Sequence, residues 1–331
     1  MTRLPMGKIP IDILNSTVLR LTGAKSPDLV TPPRAGVDFA AVKVGRGYLI
    51  VSADPISGVT ENIGRYAVKV SANDVATSGN RPQFAESVVL LPEGSTAEDL
   101  KTIAEQIDGA AKESGIAVLG GHTEVTPGLH RPIVVMTVFA FAESFVTSAG
   151  ARPGDAILMT KTAGLEGTSE LAREHRFDPP LQSAILRRAR RLIDQLDVTE
   201  EAAAVFGTGK VHGMHDCTEG GVLGAVYEMS VASGLGFVLD EAAVPVAPET
   251  RAICDALSVD PLRLIGSGSL LIAAAEDSVG EVCDALRAVC SVTKVGEFRP
   301  RGRTLARREG AREAVKEAPE DELWRVLARP G

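Results

Sequence analysis

The chain has 331 residues, 44% of them hydrophobic and 24% charged, with a net charge of -8 and a pI of about 5.3. This length favours two domains, and the acidic balance excludes a general nucleic-acid surface, which needs clustered Lys and Arg. No apolar run reaches the roughly 20 residues of a membrane span and the N-terminus lacks a signal-peptide core, so we expect a cytoplasmic protein that binds no membrane.

The first half of the chain mixes predicted strands and helices. Pro10 suits the first position of a short amphipathic helix, and Ser95 or Thr96 could cap a longer helix that Gly115 ends. Apolar periodicity and turn residues predict helices at 10–22, 61–78 and 97–114, and strands at 38–43, 47–53, 84–92, 116–121 and 132–142.

The second half repeats this mixture after a break of small and turn-forming residues at 148–155. We predict strands at 156–161, 235–239, 269–275 and 292–298. We predict a glycine-bearing turn that opens a helix at 162–172, two helices within 180–207, and helices at 219–233, 248–257 and 277–290. The charged tail at 300–328 is predicted to end in a solvated helix. The order is not a strict βαβ alternation, so the sequence predicts an α+β fold with two domains, residues 1–148 and 149–331.

Acidic residues recur at the ends of apolar runs. Each one alone is typical of a turn or a helix cap, but five beside small residues suit Mg²⁺, which prefers oxygen ligands. They are Asp38, Asp54, Asp74, Glu124 and Asp216. Asn73 and Asp74 fall in an otherwise apolar helix, where a buried carboxylate needs a partner or a metal, although both side chains could instead bond to nearby backbone.

Two glycine-bearing segments are candidate anion sites. In GGHTEVTP (120–127), Gly120 and Gly121 could bring backbone N–H groups close to a phosphate, and GLEGT (164–168) opens a helix. Each is also an ordinary tight turn, since neither matches a phosphate-loop or dinucleotide pattern. Lys8 is a mobile cation that could meet a phosphate or stay solvated. The histidine and cysteine spacings disfavour zinc, and no nucleophile elbow is present.

Taken together, these segments resemble the superfamily of aminoimidazole ribonucleotide (AIR) synthetase, thiamine-monophosphate kinase, selenophosphate synthetase and the hydrogenase-maturation protein HypE. The resemblance runs in order over nearly the whole chain, and the HypE-like branch is the most similar. The segments that carry it are VDFAAV (37–42), SADPISG (52–58), residues 62–84, GGHTEVTP (120–127), residues 152–168, HDCTEGGVLGAVYEM (215–229) and GSGSLLIAA (266–274).

The resemblance implies two PurM-like α+β domains, the first pairing into a dimeric β-barrel-like core and the second an αβ sandwich. It implies a homodimeric Mg-ATP enzyme that phosphorylates, and so activates, an amide or carbonyl-type oxygen. By position, the implied metal ligands are Asp38, Asp54, Asp74, Glu124 and Asp216, and the implied catalytic residues are Asp74, Asn73 and Lys8. The implied nucleotide contacts are Gly120, Gly121, His122, Thr123, Gly164, Gly167 and Thr168.

The sequence departs from the family at two places. His122 stands where relatives often carry Asp or Glu, and Glu124 could supply that carboxylate. HypE ends in a tail cysteine that carries a carbamoyl group, whereas the last cysteine here is Cys290. The acceptor is therefore open, and two alternatives stand beside the amide-activating enzyme: a kinase of the thiamine-monophosphate type and a low-turnover, nucleotide-binding maturation partner.

Overall fold

The computed structural model describes residues 4–327, in which two mixed sheets are each covered by helices. The described range leaves out residues 1–3 and 328–331, which are the outer ends of the two predicted domains. The last residue of the predicted tail at 300–328 is among them. The α+β class with two domains is confirmed, and the boundary between residues 148 and 149 stays a prediction. No helix within residues 4–327 combines the length and the apolarity needed to cross a lipid bilayer.

The first sheet has six strands in the order β1-β2-β3-β6-β4-β5, all antiparallel except the parallel pair β4–β5. The strands are β1 (Leu29–Thr31), β2 (Ala40–Val44), β3 (Gly47–Ile56), β4 (Phe84–Leu91), β5 (Ala117–Val125) and β6 (Ile133–Ala142). The helices are α1 (Ile11–Ser16), α2 (Ile63–Ala76) and α3 (Ala97–Ser114). Every residue of α2 except Arg65 is buried, because α2 lies between this sheet and the second half of the chain.

The second sheet has seven strands in the order β13-β12-β9-β11-β7-β10-β8. The strands are β7 (Ala156–Thr160), β8 (Val211–Asp216), β9 (Gly236–Asp240), β10 (Leu270–Ala274), β11 (Val292–Arg299), β12 (Arg303–Ala306) and β13 (Arg312–Ala314). The helices are α4 (Leu165–Glu174), α5 (Ser183–Arg190), α6 (Thr199–Phe206), α7 (Gly221–Ser233), α8 (Pro248–Leu257), α9 (Val279–Leu286) and α10 (Glu322–Leu327). Strands β7 and β10 are wholly buried, so both faces of the sheet are covered.

Helix α3 shows how local chemistry sets an element's bounds. Thr96 accepts from the backbone of Asp99, whose carboxylate accepts from the Thr96 N–H, forming a complete capping box. Gly115 ends the helix in the left-handed region at φ 68°. The predicted helix at 97–114 is therefore confirmed to the residue.

Three expectations about secondary structure were wrong. The N-terminal helix ends at Ser16, where the Thr17 hydroxyl bonds back to the Ile13 carbonyl. Ile11 of the predicted apolar stripe packs against the core, but Val18 and Leu21 are exposed. Strand β8 was missed, although it is buried and pairs with β10. The tail at 300–328 is not merely a solvated helix, since it adds two strands to the second sheet and buries Leu323 and Val326 of α10.

Candidate active site

Four of the predicted aspartates, drawn from both halves of the chain, lie close together. Asp38 precedes β2, Asp54 lies on β3, Asp74 lies in α2 and Asp216 ends β8. The Ser52 hydroxyl donates to Asp74 Oδ2 at 2.6 Å. The same hydroxyl lies 2.9 Å from the backbone carbonyl oxygen of Asp38. The structure therefore brings together the residues that the sequence singled out for a metal, apart from Glu124. We call these four residues the aspartate cluster.

Crowding and burial favour the protonated form of two carboxyl groups in this cluster, Asp74 and Asp216. Burial, reinforced by the charges of Asp54, Asp216 and Asp38, raises the pKa of Asp74 well above its ordinary value. Burial and Asp38 raise the pKa of Asp216 to about 7. Both carboxylate oxygens of Asp216 and Oδ2 of Asp38 are buried without a hydrogen-bond partner among residues 4–327. Such a set of unpaired oxygens fits a hard divalent cation.

His215 links the cluster to helix α7. Its Nδ1 lies 2.6 Å from Asp38 Oδ1, and its Nε2 lies 3.0 Å from Glu228 Oε2. Burial lowers the pKa of His215, but the Asp38 and Glu228 carboxylates outweigh burial and raise it to about 10. Atoms of Asp38, His215 and Asp216 that could bind a metal all lie within 4.8 Å of one another. His215 is thus a cationic partner that orients Asp38.

Lys8 reaches the same place from the N-terminal segment. Its Nζ donates to Thr218 Oγ1 at 3.1 Å and to Glu228 Oε1 at 3.1 Å. Its backbone N–H donates to Glu219 Oε1. Because the Lys8 side chain is half exposed, its ammonium can approach an anion at the cluster. Lys8 therefore lies close enough to the aspartate cluster for its charge to act on Asp216, and its approach to a phosphate stays a prediction.

The two ends of the described chain meet over this site. A Cβ at Gly7 would lie 2.7 Å from Nε1 of Trp324, and a Cβ at Gly58 would lie 3.2 Å from the Trp324 ring. Gly7 has φ +87°, so a side chain there would be both strained and blocked. Trp324 of α10 therefore covers the loop after β3 and the segment that carries Lys8.

Asn73 points away from the cluster that its neighbour Asp74 joins. Its amide nitrogen donates to the Leu196 carbonyl at 2.7 Å, and its amide oxygen accepts from the Val198 N–H at 3.0 Å. Both ends of this buried side chain are therefore satisfied by backbone. This geometry ties α2 to the segment before α6 and supports Asp74 indirectly.

The segment GGHTEV lies within strand β5 and not in a flexible loop. All nine residues of β5 are exposed, which corrects our expectation of a short buried strand. Among residues 4–327, β5 is an edge of the first sheet and pairs with β4 alone. A Cβ at Gly121 would lie 1.7 Å from the Ser87 carbonyl oxygen, so this glycine permits close strand pairing.

The side chains after these glycines contact one another. His122 Nε2 lies 3.1 Å from Glu124 Oε2, the Thr126 hydroxyl donates to Glu124 Oε1 at 2.7 Å, and Thr123 is exposed beside them. Strands β6 and β4 separate β5 from Asp54 on β3, a distance of about 14 Å at ordinary strand spacing. A single chain therefore does not bring His122, Thr123 or Glu124 to the aspartate cluster.

The other glycine segment packs against a neighbouring loop. The Gly167 N–H donates to the Ile265 carbonyl at 2.9 Å, and a Cβ at Gly167 would lie 2.5 Å from Leu264. The Thr168 hydroxyl is wholly buried and bonds to the Gly164 carbonyl and Thr250. These three predicted nucleotide contacts thus hold the start of α4 against the loop before β10.

Sequence reasoning missed His215, Glu228, Thr218, Glu219 and Trp324. His215 was weighed only as a zinc ligand, although its place directly before Asp216 at a strand end was a usable signal. The contacts of Glu228 with Lys8 and of Trp324 with Gly7 carry no local signal, because each joins residues more than two hundred positions apart.

Comparison with known proteins gives matches along most of the chain. Residues 36–142 match the family described as AIR synthase related protein, N-terminal domain, and residues 152–307 match its C-terminal domain. Over 260 residues the chain is 35% identical to carbamoyl dehydratase HypE of Cupriavidus necator, covering 74% of this chain and 71% of that one. Over 239 residues it is 31% identical to carbamoyl dehydratase HypE of Escherichia coli, covering 70% and 68%.

Solved structures share the fold. Escherichia coli HypE superposes with a TM-score of 0.73 at 23% identity, covering 94% of this chain and 98% of that chain. HypE in complex with ATP gives 0.68 at 22% identity, covering 97% and 98%. AaThiL complexed with AMPPCP and TMP gives 0.72 at 18% identity, covering 93% and 94%. These matches confirm the resemblance read from the sequence motifs.

Proposed function

Since the chain belongs to the AIR synthase related protein family, in its HypE-like branch, we propose that it binds Mg-ATP between its two domains and phosphorylates an amide or carbonyl-type oxygen. The observation that carries this proposal is the convergence of Asp38, Asp54, Asp74 and Asp216 with the Lys8 ammonium. A relative described in complex with ATP supports the nucleotide. Relatives named carbamoyl dehydratase support the acceptor, because a carbamoyl group is a carboxamide.

Each part of the site has a role in this reaction. The aspartate cluster would hold Mg²⁺, which would neutralise the charge of the transferring phosphoryl group. Lys8 would place its ammonium against the phosphates, and His215 would hold Asp38 in a ligating orientation. Trp324 would exclude water from the covered site.

The acceptor oxygen belongs to a separate molecule in this proposal. Burial raises the pKa of Cys254 and Cys290 to about 12, that of Cys217 well above its ordinary value and that of Cys283 to a lesser extent. Thiols that stay protonated are poor nucleophiles, so none of them suits a carrier group. Free cysteines are typical of the cytoplasm, where we place the protein.

Calorimetry of ATP binding with and without Mg²⁺ tests the proposal directly. We expect metal-dependent binding of about one nucleotide per chain, the saturating stoichiometry of a single site. Trp324 is the only tryptophan of the chain, so its fluorescence should change with the same affinity. Absence of binding by both methods would overturn the enzyme, whereas binding without turnover would favour the low-turnover, nucleotide-binding maturation partner.

A kinase that transfers phosphate to a small molecule is the second candidate. It is favoured by the structural similarity to AaThiL, which was captured with AMPPCP and TMP. Product analysis separates the two functions. Activation of an amide releases free phosphate together with a modified acceptor, whereas a kinase releases a stable phosphorylated product.

We also propose that two chains pair through strand β5. Its backbone edge is free within residues 4–327, and its exposed residues include Val118, Leu119 and Val125. A long exposed edge strand with apolar side chains is a template for pairing with another chain. A second copy is the partner that the family resemblance implies, and it would cover His122 and Glu124.

Light scattering of the variant Leu119→Lys tests this pairing. A lysine on the edge strand should convert a dimer to a monomer while secondary structure is retained. Val289→Lys is the matched control, because Val289 is an exposed apolar residue of the second half of the chain. A wild-type mass equal to that of one chain at micromolar concentration would refute the dimer.

A further inference from the structure

A groove lined by cations lies at one end of the second sheet. It has a volume of about 440 Å³ and lies between the end of α7, the turn from β11 to β12 and the end of β13. Its cations are Arg301, Arg303 and Lys316, and its apolar residues include Leu235, Pro300 and Val315. Within residues 4–327, none of its lining residues is acidic. In a chain with a net charge of -8, a groove of this composition indicates an anionic ligand.

Arg303 is held in place by contacts that leave its outer nitrogens free. Its Nε donates to the Ser230 hydroxyl at 2.7 Å, and its guanidinium carbon lies 4.7 Å from the centre of the Tyr227 ring. Ser230 is wholly buried, and its hydroxyl donates in turn to the Tyr227 carbonyl at 2.7 Å. Neither outer nitrogen of Arg303 has a hydrogen-bond partner among residues 4–327. Because one edge and one face of the guanidinium are fixed, its remaining donors point in a preset direction.

Other arginines of the same sheet are neutralised by the chain itself. Arg307, directly after β12, donates through Nε to Glu313 Oε2 of β13 at 2.9 Å. Arg299 Nη2 lies 3.0 Å from Glu297 Oε2, and both residues belong to β11. The carboxylates that β11 and β13 carry are therefore already paired with other arginines. This leaves Arg303 of β12 without a counter-ion among residues 4–327.

The number of cations and the apolar part of the lining favour one kind of anion. A phosphate group carries up to two negative charges and three acceptor oxygens, which suits three cations on two separate segments better than the two oxygens of a carboxylate do. The apolar residues Leu235, Pro300 and Val315 suit the carbon part of a phosphate monoester, which inorganic phosphate lacks. A volume of about 440 Å³ also falls within the range of small-molecule pockets.

We propose that this groove binds a small organic phosphate monoester, with Arg303 as the preset contact to the phosphate and Arg301 and Lys316 adding charge at its mouth. The site is separate from the aspartate cluster. Asp216 ends β8, and β8 lies five strand positions from β12 in the sheet, about 24 Å at ordinary strand spacing. The inference goes beyond the proposed function and does not rest on it, because no metal, nucleotide or acceptor oxygen takes part.

Phosphorus NMR of phenyl phosphate with the full chain tests the groove. EDTA is present, so that no metal ion holds the probe at the aspartate cluster. We expect saturable broadening of the phosphate signal that weakens as salt is added. Arg303→Gln should weaken binding by about tenfold, the effect of losing a charge-assisted hydrogen bond. Arg301→Gln and Lys316→Gln should each weaken it by about threefold, because both residues are exposed.

Two competitors identify the anion that the groove prefers. Inorganic phosphate should displace phenyl phosphate less effectively, because it makes no apolar contact with the groove. Acetate should displace it least, because it carries a single charge and two oxygens. Displacement by inorganic phosphate at the same concentration as by unlabelled monoester would overturn the monoester in favour of free phosphate. Displacement by acetate as effective as that by inorganic phosphate would overturn the assignment to a phosphate group.

Arg287→Gln is the matched control, because it removes the same charge at an exposed arginine of the second half of the chain that pairs with Asp284. It should leave binding unchanged, and a loss equal to that in Arg303→Gln would show that net charge alone attracts the probe. Lys8→Met examines the other cation that is suited to phosphate. Binding that is lost in Lys8→Met but kept in Arg301→Gln and Arg303→Gln would place the probe at the aspartate cluster and overturn the proposal, as would no binding to the wild type. Because Arg301 is exposed, Arg301→Gln tests the groove without disturbing the fold.

Discussion

Helix α2 contributes to two acidic groups, one buried and one partly buried, that the fold treats in opposite ways. Five residues before Asp74, Lys69 Nζ lies 2.8 Å from Asp197 Oδ2 and 2.7 Å from the Ser114 hydroxyl. Burial opposes ionisation of Asp197, but Lys69 and the Thr199 N–H outweigh it and lower the pKa of Asp197 to about 2. Asp216 in the aspartate cluster has its pKa raised to about 7.

The difference lies in where the compensating cation comes from. Asp197 has an ammonium of the chain itself within ion-pair distance, so the pair is complete in the folded protein. Asp74 and Asp216 share their space mainly with other carboxylates, and His215 and Lys8 compensate only part of the charge. A carboxylate that the chain does not neutralise is suited to a cation supplied from outside, which is why the aspartate cluster is the candidate active site.

Lys69→Met should break the completed pair and have the largest effect on stability. It leaves Asp197 partly buried without its cation, which lowers the free energy of unfolding by about 3 kcal/mol. Urea denaturation measures this loss. Lys101→Met, at an exposed helical lysine that pairs with Glu98 and Glu105, is the matched control and should change stability by less than about 0.5 kcal/mol. Equal stabilities of the two variants would contradict the structural role of Lys69.

Asp74→Asn should remove function and leave the fold intact. The amide relieves repulsion from Asp54 and Asp216, so we expect unchanged or higher thermal stability together with a loss of Mg-ATP affinity of at least about 100-fold. Calorimetry and a thermal melt of the same sample measure both effects. Asp197→Asn should give the reverse pattern, with lower stability and normal Mg-ATP affinity. Mg-ATP affinity equal to the wild type in Asp74→Asn would exclude Asp74 from the metal site.

The sequence predicted two kinds of feature: the ends of a helix, which depend on local chemistry, and the acidic residues, which stand out by their place along the chain. The bounds of α3 follow from Thr96 and Gly115, which act within four residues of the helix ends. The aspartates stood out because each interrupts an apolar run, and the family resemblance implied that they converge.

Partners brought together by the tertiary fold carried no such signal. Glu228 meets Lys8 across 220 residues and Asp197 meets Lys69 across 128, so no window of the sequence contains either pair. Strand β5 reads as buried because its glycines and apolar residues match an interior strand, and only the sheet order shows that it is an edge. The pattern of apolar residues along a strand does not distinguish a strand inside a sheet from an edge strand that another chain covers.

Stability without metal should fall as pH rises across the range in which Asp216 titrates. Its pKa in the folded protein is raised by burial, Asp38 and Asp54, against the opposing charges of His215 and Lys8. The stabilisation from a carboxyl with a raised pKa is complete below the unfolded pKa, about 4, and is lost as pH rises through the folded pKa. Between pH 5 and 7 the contribution of Asp216 to the free energy of unfolding should decrease by about 2 kcal/mol, and Asp74 and Glu170 add to this decrease in the wild type, measured by urea denaturation with EDTA present.

Two variants show which carboxylate causes this decrease. Asp216→Asn should make the profile less steep between pH 5 and 7, because the neutral amide binds no proton in either state, while Asp74 and Glu170, whose pKa values are also raised, keep the rest of the slope. Asp197→Asn should lower the whole profile and leave its slope unchanged, since a pKa of about 2 keeps Asp197 ionised throughout this window. Added Mg²⁺ should flatten the wild-type profile as well, because the cation stabilises the ionised carboxylates. A slope in Asp216→Asn as steep as in the wild type would mean that the protons released on unfolding come from other carboxyl groups than Asp216, and the contrast with Asp197 would fail.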